Sequence, residues 1–261
     1  MPAADFRLTP RRRRSSTAQP QNTEYGNRGS RLLALPALAL AGLLCWHMVN
    51  MGLASAWYFK ANHYLDLWVK NEQLFTEPSW QEASTAIDKA VQLHPTHPHY
   101  LLIKAKINEW GWYGGLMTSK QLEQTESYYR QAIALRPTWP NAYADYAYYL
   151  GVTQYRVTEA LQQLDQAWKL GPFATETHLR QLAVGFRHWN KLAIEQKAKT
   201  LSALKLAVSG NYSGSQQALQ ITRNTGLEKL ACIYLMANES ELSFQEFKKV
   251  KKDFCKNQKN N

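Results

Sequence analysis

The sequence predicts an all-α protein: a single transmembrane helix, then a repeating solenoid of paired helices closed by a helical C-terminal cap. Three observations predict it. No Asp, Glu, Lys or Arg occurs in the 28 residues Leu32–Phe59. Three later segments share one small/large/small stripe that ends in proline. Apolar residues elsewhere recur at helical spacing, and Gly and Pro are confined to the ends of these patterns.

The uncharged run is longer than the roughly 20 residues a helix needs to cross about 30 Å of hydrocarbon. Trp57, Tyr58 and Phe59 close it, as expected where amphipathic rings meet headgroups. Pro36 is expected in the first turn, where a missing N–H costs little. Ala54-Ser55-Ala56 resembles a signal-peptidase site, but so long an apolar run after so long a head favours an uncleaved anchor, Leu32–Tyr58. Leu44 before Cys45 disfavours a lipoprotein site, and the four-Arg run lies too far upstream for a twin-Arg signal. Positive charge precedes the segment, which puts the N-terminus in the cytoplasm and the chain from Lys60 onward across a plasma membrane.

Net charge is +11, but it sits at the ends. Seven Arg and two acids precede Lys60, a balance of +5, and six Lys with one Asp follow from Lys248, again +5. The 188 residues between carry only about +1, so no nucleic-acid face is spread over the folded part. The expected organisation is a disordered basic head (1–30), the anchor (31–59), a helical repeat (60–190), and a C-terminal cap with a basic tail (191–261).

The repeat aligns Ala83, Ile87, Ala90 and Pro95 with Thr125, Tyr129, Ala132 and Pro137, and with Ala160, Leu164, Ala167 and Pro172. The small residues admit a neighbouring helix, and proline ends each element. Helices also follow the prolines; Tyr143, Tyr146, Ala147 and Leu150 fall on one face of the second. This pattern resembles the tetratricopeptide repeat (TPR) from about Trp80 to Trp189. The proline spacing of 35 residues exceeds the family period of 34 by one residue between helices. The spacing of 42 carries an insertion, Gly111–Thr118. Lys104 and Thr125 depart from the family pattern. Ser79-x-x-Glu82, Thr118-x-x-Gln121 and Ser243-x-x-Glu246 read as capping boxes, and Thr158 and Thr175 as N-caps. Beyond Trp189 the repeat fades into helices over about 190–208, 213–224, 226–238 and 243–255, the last with an apolar stripe of Phe244, Phe247, Val250 and Phe254 that could close the stack.

Few constellations carry chemistry. His94, His97 and His99 cluster around two prolines, but match no zinc spacing and read as an interhelix turn. No phosphate loop, nucleophile elbow or paired-carboxylate motif is present, so no enzyme and no cofactor is expected. Trp110, Trp112 and Tyr113 could offer aromatic faces to a sugar, or pack beneath the insertion. The TPR register places His99, Lys106, Asn141, Tyr148 and Glu176 toward a partner-binding groove, and implies protein partners. Cys232 and Cys255 stand in the region expected to be exported, where an oxidising compartment favours a disulfide. An ideal antiparallel hairpin would offset them by roughly 10 Å, which opposes one unless the last helix ends early.

Anchor, repeat and basic helical tail together resemble the small membrane-anchored accessory proteins of bacterial exopolysaccharide gene clusters, the VpsP type. That resemblance implies a role in assembling a polysaccharide synthesis or export machine. A TPR assembly factor for another envelope process, such as cytochrome c maturation, and a direct glycan-binding protein are the competing expectations.

Overall fold

The structure, a computed structural model, describes residues 27–256. The expectations for residues 1–26 and for the last five residues therefore lie outside the described range. The described residues form eleven α-helices with 3-10 and π turns, and no strand. The described residues divide into two compact units, one ending at Met48 and the other beginning at Val49.

Helix α1 starts at Asn27, in the first unit, and continues to Lys70, in the second. Within it, Ala34–Lys70 is the one helix, among the described residues, long and apolar enough to cross a membrane. Leu35, Leu38, Leu40, Leu43 and Leu44 are 57–70 % exposed, a surface that suits lipid better than water. Pro36 lies inside α1 and not in its first turn, because the helix begins nine residues earlier, at Asn27.

The second unit is a stack of antiparallel helix pairs. α2 (Glu77–Leu93) is followed by α3 (Pro98–Tyr113), α4 (Ser119–Leu135), α5 (Pro140–Tyr148), α6 (Val157–Leu170), α7 (Thr175–Arg187) and α8 (Ile194–Gly210). Closely packed pairs are α3 with α4, α5 with α6, and α7 with α8. α5 also packs on α7, and α7 on α9 (Tyr212–Asn224), which lines the first helices up along one side. Pro98 and Pro140 each open a helix at a position whose N–H has no helical partner. The stripes behave as small/large/small packing requires: Ala83, Ala90, Ala132, Ala160 and Ala167, with Ile87, Tyr129 and Leu164 between them, are fully buried. Together these features make the second unit a TPR-like helical repeat.

The array starts earlier than the stripe suggests. Ala54, Ala61, Leu65 and Trp68 of α1 are buried against α2 and α3. The Trp68 indole N–H donates to Ser79 Oγ at 3.2 Å, and Lys60 pairs with Glu82 at 2.9 Å. The end of α1 thus acts as the first helix of a pair whose second member is α2.

The one-residue excess in the 35-residue spacing has a physical seat. After Tyr148 the chain makes a π turn, Tyr149–Thr153, in which the Gln154 N–H reaches back five residues to the Tyr149 carbonyl at 2.9 Å. A π turn accommodates one extra residue without breaking the helix. Gly151 lies at its centre, where a Cβ would stand 2.9 Å from Val184 Cγ1; the missing side chain lets α7 close on the turn.

Three capping expectations are corrected. α2 is capped by Thr76, whose box partner is Ser79, so Ser79 stands three residues inside the helix and Glu82 is free for Lys60 and Tyr64. Thr158 and Thr175 lie within α6 and α7; the caps are Arg156 and Ala174, without side-chain hydrogen bonds. Thr118 with Gln121 and Ser243 with Glu246 form reciprocal boxes.

Beyond α7 the pairing logic persists. A 3-10 turn, Trp189–Lys191, leads through buried Leu192 into α8; a second, Glu239–Glu241, leads from α10 (Glu228–Ala237) through buried Leu242 into α11 (Phe244–Asp253). α11 stops at Asp253, and Cys255 follows in a turn whose N–H bonds to the Val250 carbonyl. That early stop brings Cys255 back to Cys232, with Cα atoms 5.3 Å apart and the sulfurs bonded.

Two outcomes follow for the full-length chain in detergent. Ala167→Leu overpacks the α6 interface and lowers unfolding stability by about 1–3 kcal/mol, read from denaturant titration. Reducing Cys232–Cys255 opens a 23-residue separation and lowers stability by about 3 kcal/mol, with mass spectrometry after alkylation showing no free thiol at either position before reduction.

Candidate functional site

Helical periodicity assembles a cleft from the first helices of successive pairs. Asn62, Leu65, Asp66 and Val69 share one face of α1; Ile103, Lys106, Trp110 and Tyr113 share one face of α3; Asp145, Tyr148 and Val152 follow each other from α5 into the π turn; and Arg180 and Arg187 are two turns apart on α7. These faces enclose a cavity of about 690 Å³, with Glu72 and Phe75 at one rim. That volume suits a short chain segment or a small ligand.

An ion cluster forms one wall. Asp145 is only 2 % exposed, with Lys106 Nζ at 2.6 Å and Arg180 Nε at 3.0 Å. Burial alone would raise its carboxyl; the Lys106 and Arg180 charges outweigh it and hold the group ionised, below the usual carboxylate range. Arg180 also reaches Glu176 Oε1 at 2.6 Å, and its guanidinium sits 4.7 Å from the centre of the Tyr148 ring. Arg187 donates to the Tyr155 hydroxyl at 2.7 Å. Tyr155 itself is held at φ 58°, a left-handed conformation uncommon for a residue with a side chain.

A second buried carboxyl forms the floor. Glu109 accepts the Tyr129 hydroxyl at Oε1 and the Thr153 hydroxyl at Oε2, the latter at 2.8 Å. The Tyr113 hydroxyl lies 2.7 Å from Thr153 Oγ1, so one chain of hydroxyls runs from the cleft to the buried group. Burial pushes the Glu109 carboxyl up to about 7, against the pull of the Tyr129 and Thr153 hydrogen bonds. Thr153 reaches Glu109 because it closes the π turn.

Of the groove residues predicted from the repeat register, Lys106 and Tyr148 line the cleft, and Glu176 supports it through Arg180. His99 does not line it; its ring meets Trp139 at 4.9 Å and Tyr58 at 5.5 Å, and burial pushes it below the usual imidazole range. Asn141 is half-buried in the first turn of α5 and also lies off the cleft. Trp110 and Tyr113, three residues apart on α3, both line the cleft, whereas Trp112 is turned by about 200° from Trp110 and does not. Trp110 stacks among Trp68 and Phe75, with centroids 5.7 and 5.5 Å away, Trp112 packs toward the α4–α6 core, and Tyr113 faces the cleft. The histidines of the α2–α3 turn make ring contacts, His97 lying 3.9 Å from Tyr100. Asp145, Arg180, Glu109 and Arg187 were not anticipated. Their signal is spacing: Asp145 is four residues after Asn141, Arg180 four after Glu176, Glu109 three after Lys106, and Arg187 seven after Arg180.

Fold and cleft define the class: a TPR-like helical-repeat protein with an N-terminal apolar helix and a cleft lined by charged and aromatic residues. No protein-family model matches the chain, and no curated protein matches it. Among solved structures it is similar to PilW, described as a widely conserved type IV pilus biogenesis factor, with a TM-score of 0.46, 16 % identity, and coverage of 78 % of this chain and 88 % of that one.

Glu109 of the cleft floor and Glu126 of α4 predict a pH profile. The folded chain holds the Glu109 proton more tightly than an unfolded chain, whose carboxyl titrates near 4.5, so this group lowers stability as pH rises from about 4.5 through about 7. Glu126 acts at the other end. Against burial, hydrogen bonds from Tyr146, Arg130 and Arg156 hold it at about 2, and its contribution is lost as pH falls from 4.5 toward that value. Glu109→Gln therefore removes the decline between pH 5 and 7, whose slope approaches about 1.4 kcal/mol per pH unit, while leaving the acid limb unchanged. Denaturant titrations of the full-length chain from pH 3 to 8 measure both limbs.

Proposed function

We propose that the chain is a membrane-tethered accessory protein that holds a segment of a partner protein in its concave cleft during assembly of an envelope machine, and that the machine is one for exopolysaccharide synthesis or export. The cleft itself carries the first part. Four elements from different pairs converge on it, both signs of charge stand at its walls, and Phe75, Trp110, Tyr113 and Tyr148 give it apolar faces. Such a lining suits an extended segment with alternating polar and apolar side chains. Both buried carboxyls already have their oxygens engaged, Asp145 by two cations and Glu109 by two hydroxyls, which suits support better than catalysis. α1 serves as the anchor, with the head cytoplasmic and the repeat on the far side. The assignment to exopolysaccharide rests on the layout of anchor, repeat and basic tail.

Deletion and rescue in the native host test this reading. Loss of the chain lowers surface polysaccharide; the wild type restores it, and Tyr148→Ala with Arg187→Glu, present in the membrane at the wild-type level, does not. A photo-crosslinker at Tyr113 joins a component of the polysaccharide machine, whereas one at Lys169, on the outer helix α6, does not. Intact polysaccharide with loss of c-type haem staining would move the assignment to cytochrome c maturation. Cross-linking to glycan and to no protein would replace the scaffold by a glycan-binding protein.

A further inference from the structure

A second concavity lies away from the cleft, at the far end of the array. The C-terminal end of α8, the first turns of α9 and the outer face of α11 enclose about 610 Å³. Three lysines of α11 face it: Lys248, Lys249 and Lys252. None of them is in a salt bridge among the described residues. The two acids at the groove do not offset them equally. Glu246 is drawn back to cap its own helix, accepting the Ser243 N–H at 2.7 Å, while Asp253 stands at the helix end. Tyr212 is 74 % exposed, and the Lys249 ammonium lies 4.6 Å from the centre of its ring. Gln216 and Gln245 add two carboxamides, each able to donate and accept.

α11 is held firmly for so short a helix. It has ten residues, a reciprocal capping box, Val250 and Phe254 buried beneath it, and a disulfide just past its end. A merely solvated tail has no need of such fastening. The fastening fixes the lysines relative to the ring of Tyr212.

The lining selects the occupant. Ammonium groups call for anions. An exposed phenol ring with carboxamides beside it suits the apolar face and hydroxyls of a sugar. Among the described residues that line the groove, Val208 is the one aliphatic side chain beside the ring, a lining short of the buried apolar anchors that carry protein interfaces. We propose that this groove binds a segment of an acidic polysaccharide, with sugar carboxylates on Lys248, Lys249 and Lys252 and a sugar face on Tyr212. The site is separate from the cleft and does not rest on the partner assigned to it.

The full-length chain in non-ionic detergent, titrated with alginate oligomers by calorimetry, tests this. Alginate binds saturably, more weakly at high salt, and neutral dextran does not bind. Replacing Lys248, Lys249 and Lys252 together by Gln weakens alginate binding by more than about tenfold, an ammonium near an anionic surface contributing roughly fivefold. Tyr212→Ala weakens it by about threefold or more with no change of charge, Tyr212→Phe retains it, and Arg187→Glu in the cleft leaves it unchanged. Helicity and the Cys232–Cys255 bond stay as in the wild type, since all four groove residues lie outside the core. Absence of alginate binding overturns the proposal. So does equal binding of poly-L-glutamate, wild-type affinity in Tyr212→Ala, or lysine-dependent binding to phosphatidylglycerol vesicles without alginate binding.

Discussion

The carboxylate of Asp145 is the interaction on which the rest of the repeat depends. It sits on α5, takes one cation from α3 and another from α7, and so ties three consecutive first helices together at one buried point. Taking it from water is costly, and the two cations offset that cost only while both stay within hydrogen-bond distance. This sets the spacing of the helices more strictly than apolar contact could, because apolar contact tolerates sliding. The cleft is the space left in front of that fixed wall, and Tyr148 lies over Arg180 within it.

Much of this was legible in the residues. The stripe of Ala132 and Ala167 with Tyr129 and Leu164 specified a close helix pair, and all four are buried. The single residue by which the proline spacing exceeds the repeat period marked the place where Tyr149–Thr153 forms a π turn. Other features were not legible, for stated reasons. Ala54, Ala61, Leu65 and Trp68 form a helical stripe, but the first of them lies inside a run that reads as lipid-facing, and the stripe contributes no proline to mark a pair. Asp145 and Arg180 are polar residues on a face expected to be open, and Asp145 is buried beside cations from helices that are distant in sequence. The Thr76 cap is masked in the sequence by Ser79, which carries a chemically equivalent signal three residues later.

The same limits apply to the cysteines. Counting residues outward from the turn placed Cys232 and Cys255 out of register, and that is correct for two ideal helices. The chain resolves it by ending α11 at Asp253 and folding the next residues back. Register arithmetic holds inside helices and fails at their ends, where the unsatisfied carbonyls permit a turn.

That turn has a consequence for the array as a whole. A linear stack of helix pairs has neighbours on both sides everywhere except at its ends, so its last pair has the lowest cost of fraying, and unravelling starts there. In this chain the last pair, α10 with α11, is closed into a covalent ring by Cys232 and Cys255. The weakest station of a one-dimensional assembly is thereby removed from its terminus. The resistance of the chain to being pulled apart thereby becomes conditional on oxidation of these two thiols.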